Sequence, residues 1–168
     1  MYSREIAERN PLRIFERSIH GGLGAGNIGV VLSRPGDGKN GFLVAVATDD
    51  CLRSRKVLHV NLRDTAGEVR EFYEEVFRDL AESSGMVDRS AALRTIEQNR
   101  RIHSFLGGSF ALRKLETALE YMRAHADFNP RVVILDGFPD WETATDEDLE
   151  GIRRLAQRHE CEFWLSGE

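Results

Sequence analysis

The residues with the clearest capacity for chemistry lie in one short stretch, Ser33-Arg34-Pro35-Gly36-Asp37-Gly38-Lys39-Asn40, between an apolar run and an amphipathic segment. Gly36 and Gly38 let backbone N–H groups turn inward to line an anion cradle. A helix starting at that point adds its free amides and the positive end of its dipole. A lysine there reaches the terminal phosphates of a nucleotide. Measured against G-x-x-x-x-G-K-[ST], Gly38 and Lys39 match, Ser33 stands for the first glycine and Asn40 for the hydroxyl residue. An ordinary strand–helix turn with a solvated lysine is the plainer use of the same residues.

A second candidate is the apolar run Arg131–Leu135 ending in Asp136. An acid at such a strand end can hold Mg²⁺ through water beside a phosphate loop, and it can equally cap a loop. Paired with the glycine-containing stretch, Asp136 becomes the candidate metal-side acid. Asn40, whose amide oxygen can bind a hard cation, is the other candidate Mg²⁺ ligand.

Elements must bring these positions together. Five continuous apolar runs read as buried strands: Ile28–Leu32, Val57–Leu62, Arg101–Leu106, Arg131–Leu135 and Cys161–Leu165. Runs without alternation suit a parallel sheet covered on both faces. Between them lie helical patterns over Gly41–Arg53, Ala66–Ser83, Phe110–Ala126 and Asp146–His159. Of these, Ala66–Ser83 places Val69, Phe72, Tyr73, Val76, Phe77 and Leu80 at spacings of three and four. Ala91–Asn99 reads as a short helix, and Arg101–Leu106 reads as strand or loop. Strand and helix alternate, so the expected fold is α/β in three layers, a mostly parallel sheet of about five strands with helices on both faces. Residues 1–20 form a lead-in segment and 21–168 the domain.

Read together, these stretches resemble the RecA-like P-loop NTPases. Gly21-Gly22-Leu23, Gly26, an apolar strand, then Arg34-Pro35-Gly36-Asp37-Gly38-Lys39 with Phe42 and Ala47 are similar to the start of that core in the DnaB, KaiC and RadA branches. The similarity runs from Gly21 to the C-terminus. It implies ATP as ligand, Mg²⁺ as companion ion, Ser33–Asn40 as the nucleotide-binding loop and Asp136 as a Walker B acid.

Three positions depart from the family. Asn40 lacks the Mg²⁺-ligating hydroxyl. The water-polarising glutamate falls on Arg63, and an arginine cannot act as a base; Asp64 is one residue on and faces the other way in a continuing strand. Near the γ-phosphate sensor stands Gly167, which has no side chain, with Ser166 and Glu168 as substitutes. Asp37 adds negative charge inside the loop. The expectation is a degenerate ATPase homologue that binds nucleotide or phosphate with little or no hydrolysis, as a regulatory or partner-binding module. An active ATPase using Asp64 or Glu168, and a scaffold that binds no nucleotide, are the alternatives.

Bulk properties set outer limits. With 168 residues, 41% hydrophobic and 30% charged, the chain reads as one globular domain. A net charge of −5 argues against a broad nucleic-acid surface, leaving only the cluster Arg94, Arg100, Arg101 and Arg113 as a local candidate. The expected partner is another protein or a second copy. No apolar run approaches the ~20 residues of a membrane span. The first residues are charged and lack a secretion-signal core, so the expected compartment is the cytoplasm. Cys51 and Cys161 read as buried thiols, and the five histidines as surface or strand-end residues without metal-ligand spacing. Phe138 and Trp141 read as packing under a loop.

Overall fold

A computed structural model describes residues 12–34, 36 and 38–167, with the side chain of Lys39 outside that description. The apolar runs become strands β1 (Ile28–Leu32), β2 (Val57–Asn61), β3 (Arg100–Ser104), β4 (Val132–Asp136) and β5 (Glu162–Gly167). Among the described residues the helices are α1 (Leu12–Ser18), α2 (Lys39–Leu52), α3 (Ala66–Ser83), α4 (Arg89–Asn99), α5 (Leu112–His125) and α6 (Asp146–Arg158). All strand pairs are parallel, in the order β1-β5-β4-β2-β3. Sheet and helices form three layers, as the alternation of runs predicts.

Side-chain alternation assigns the two faces. Val57, Val132, Ile134 and Trp164 point into a core shared with Leu43, Val44, Ala47, Val69, Tyr73, Phe77 and Ile96, from α2, α3 and α4. Leu58, Val60, Val133, Leu135, Phe163 and Leu165 point into a second core with Leu115, Leu119, Ile152 and Leu155, from α5 and α6. Both cores are needed to bury β2 and β4 at every position, which is why their sequences are mostly apolar without alternation, the buried exceptions being His59, Asn61 and Asp136. The first core also takes in α1. Leu12 is buried, and Phe15 meets the rings of Phe42 at 5.3 Å and Trp164 at 5.8 Å. Around them Arg13 pairs with Asp49 and Glu16, and Arg53 reaches Asp49, Asp50 and Glu16.

Local chemistry sets the element ends. Capping boxes start α3 (Thr65 with Glu68) and α6 (Thr145 with Asp148), satisfying amides that a helix start leaves without partners. Helix α2 begins at Lys39, two residues before the apolar periodicity suggests, because Gly38 turns the chain at φ 87°. Strand β3 begins at Arg100 and ends at Ser104, a shift from the expected Arg101–Leu106. Arg100 pairs in register with Val57 and lays its guanidinium 4.6 Å over the Tyr73 ring, so a charged residue opens the strand. Phe105 instead packs on Phe110, at 5.4 Å. No described helix is long and apolar enough to cross a membrane.

Both cysteines are free and buried, and burial pushes each thiol up to about 12, so neither is a nucleophile at neutral pH. His59, by contrast, is not at the surface or a strand end. It sits inside β2 at 3% exposure, its Nδ1 is 2.9 Å from the Tyr73 hydroxyl, and burial followed by the Arg100 charge pulls its pKa from 6.5 down to about 3. A depressed value means that His59 contributes its full stability above pH 6.5 and loses it as pH falls toward 3. Asp50 works the other way. Burial raises it to about 6 despite Arg55 and Arg53, so its contribution is complete below 3.8 and lost as pH rises through about 6. From pH 7 to 5 the histidine should therefore remove about 2 kcal/mol while the aspartate returns about 1. Urea unfolding of His59→Gln against the parent isolates the first: the difference between them should change by about 2 kcal/mol over that range, and parallel pH profiles would contradict it.

Candidate functional site

In an open parallel sheet, ligands bind outside the carboxyl ends of the strands. At that end β1 finishes at Leu32, and Ser33 N donates to the Gly167 carbonyl at 3.2 Å, joining the glycine stretch to the end of β5. Gly36 and Gly38 both have φ near +88°, a region closed to most side chains, and open space surrounds where their Cβ atoms would be. Helix α2 starts with no side-chain cap and no acid in its first turn, unlike α3 and α6. Pro35, Asp37, the Lys39 side chain and Glu168 lie outside the described residues. Ser33, Arg34, Gly36, Gly38 and Asn40 stand at the expected end of the sheet, with Arg34 exposed.

Asn40 belongs to the stripe of α2 that carries Val44, Ala47 and Cys51 onto the sheet. Its Oδ1 is fully buried and has no hydrogen-bond partner. The polar strand ends on that face are Asn61, Asp136 and Ser166. Asn61 is in register with Asp136, and β5 brings Ser166 alongside. Ser166 Oγ donates to Asp136 Oδ1 at 2.5 Å and accepts from Gly137 N at 3.1 Å. Asn61 Nδ2 donates to Asp136 Oδ2 at 3.3 Å and to Asp64 Oδ2 at 3.4 Å. The Asn61 side-chain oxygen Oδ1 accepts from the amides of Arg63 and Asp64, each at 2.7 Å. Asp136 is 4% exposed and hydrogen-bonded at both carboxylate oxygens.

Arg63 follows the end of β2 and is exposed, and its side chain lies against the turn after β4. A Cβ at Gly137 would sit 3.6 Å from both Cγ and Nε of Arg63. On the opposite side Trp141 folds over the end of β5, its Nε1 donating to the Ser166 carbonyl at 2.8 Å. Phe138 packs on Phe110 at 4.9 Å. The loop aromatics therefore serve as packing, as expected.

Asn61 is the participant that sequence reasoning missed. Its only signal is a polar residue closing an apolar strand, and its meaning depends on the register with Asp136. The basic cluster does not form one surface. Arg100 is buried on Tyr73, while Arg101 stacks 4.7 Å from the Phe128 ring in the other core. A groove of about 820 Å³ lies between α5 and α6. Arg113, Arg154 and Arg158 line it together with Glu116, Glu147 and Asp148, a balance that gives no preference for an anion. No protein-family model matches the chain, and no curated protein matches it.

Proposed function

We propose that the chain is a degenerate RecA-like P-loop domain that binds a nucleotide through Ser33–Asn40 and acts as a regulatory or partner-binding module with little or no hydrolysis. The observation that carries this reading is the uncapped start of α2, behind two left-handed glycines, at the carboxyl end of an all-parallel sheet. The amides and the dipole of a helix start aimed at that space favour a phosphate. Asp136, across β5 from the loop strand, supports the same reading by its place. Weak turnover is favoured by what stands around it: a cation at position 63, a glycine at 167, and an amide at 40 in place of a hydroxyl.

Titration calorimetry of the full chain with ATP tests this, using the parent and Lys39→Ala. Saturable binding that the substitution weakens by about a hundredfold is expected, since one lysine–phosphate contact contributes roughly 1.5–3 kcal/mol. No saturable, Lys39-dependent binding would leave a scaffold as the better description. A Mg²⁺-dependent turnover above about 0.01 s⁻¹, lost in Asp136→Ala, would favour an active enzyme.

A further inference from the structure

We propose that the outer face of α6, with the groove it forms against α5, is a self-association surface on which two copies of the chain pair antiparallel about a two-fold axis. It does not depend on what the loop Ser33–Asn40 binds. The charges of α6 are divided along its length. Asp146, Glu147, Asp148 and Glu150 lie in its first five residues, and Arg153, Arg154 and Arg158 in its second half. The helix ends account for part of this division. Asp148 completes the capping box, and acids suit the amino end of a helix dipole as Arg158 suits the carboxyl end. Arg153 and Arg154 stand in mid-helix, where the dipole asks for no charge. Glu147 and Arg154 are both exposed and lie seven residues apart, about 10 Å along one face of the helix. Neither makes an ion pair with a described residue, whereas Arg153 reaches Glu150 and Arg158 reaches Glu116 and Glu120.

Between these two charges the groove is apolar. Leu112 of α5 rests over Gly151, where a Cβ would fall 2.7 Å from Leu112 Cδ1, and Leu155 lines the groove with them. Arg113 and Glu116 of α5 add one charge of each sign. An apolar centre with a charged rim is the general layout of a protein interface. The order of the charges decides what fits it. A two-fold contact sets the same patch of both copies against itself in reverse. With the axis at the level of Glu150 and Gly151, midway between Glu147 and Arg154, Glu147 of each copy faces Arg154 of the other. Both open charges are thereby matched, twice over. A polyanion would be repelled by the first half of α6 and a polycation by the second, while a second copy complements both. That matters for a chain of net charge −5, whose copies repel in other orientations. Helices of 13 and 14 residues span only about 20 Å, so the contact is small and its charges are solvated. The dimer should therefore depend on concentration and on salt.

Charge reversal in the full chain tests the proposal, with mass measured by sedimentation velocity over a range of concentrations. The parent should pass from monomer to dimer as concentration rises. Raising NaCl from about 50 to about 500 mM, which shortens the screening length about threefold, should weaken the dimer. Glu147→Arg and Arg154→Glu should each weaken it by about tenfold or more, since two attractive pairs become repulsive together. An equimolar mixture of the two variants should recover the dimer, because each position again meets a charge of opposite sign, and the double variant should recover it alone. Thermal melts check that the variants are folded. A parent still monomeric at about 500 μM would overturn the proposal and leave the face to another protein. So would a dimer indifferent to either reversal, or a mixture no more dimeric than its components. The salt series on the parent holds even where a variant fails to fold, and a dimer unchanged by salt would count equally against the contact.

Discussion

Trp164→Ala is expected to lower the unfolding free energy by about 3–5 kcal/mol, the range for a large aromatic removed from a core that cannot collapse. Trp164 is 5% exposed and forms the floor on which three elements meet. Phe15 of α1 and Phe42 of α2 contact its ring at 5.8 and 6.0 Å. From below, Gly29 of β1 lets the ring lie flat, since a Cβ there would fall 2.7 Å from Trp164 Cε3. The indole N–H is buried without a partner, so its removal forfeits no hydrogen bond and the loss is one of packing. Trp164→Phe should therefore retain more than half of the stability. For a domain of this size the alanine variant should melt about 10 °C lower, and amide exchange should rise first in α1. A shift of only a degree or two would mean that α1 and α2 close over the gap.

Why β2 and β4 are legible in sequence, and β3 only partly, follows from where each sits. Central parallel strands are buried on both sides, so Val132–Leu135 is apolar without interruption and Val57–Val60 is broken only by the buried His59. Strand β3 is at an edge, and its sequence RRIHS is fixed by one neighbour and by the stacking of Arg100 on Tyr73. That contact has no local signature. The same limit explains His59, whose burial depends on Tyr73 of α3 supplying a hydrogen-bonding partner fourteen residues away.

The candidate site divides in the same way. Gly36, Gly38 and Lys39 are readable because a chain turning into a helix needs particular residue types at particular spacings. The Asn61–Asp136–Ser166 network is not, because it exists only through strand order. β5, the last of the described strands in sequence, inserts between β1 and β4 and carries Ser166 to the acid. Position 167 illustrates both cases. The sequence shows a glycine where a polar side chain is expected, and the structure shows what fills the space.

Gly167→Gln, which places a polar side chain back at that strand end, is expected to destabilise the fold by about 2–4 kcal/mol, through overpacking and a lost hydrogen bond. A Cβ at 167 would fall 2.5 Å from Trp141 Nε1 and 2.8 Å from its Cδ1, and would overlap Leu32 Cδ2. The indole must then leave, breaking its hydrogen bond to the Ser166 carbonyl and uncovering the end of β5. Trp141 fluorescence, read in a Trp164→Phe background, should shift to the red. If displacement of the indole is the cause, Trp141→Ala made together with Gly167→Gln should cost less than the sum of the two single changes, because the first has already vacated the space. Strict additivity, or a Gly167→Gln variant as stable as the parent, would sink this account. As long as Trp141 covers the strand end, no single substitution at 167 can place a side chain there without displacing the indole.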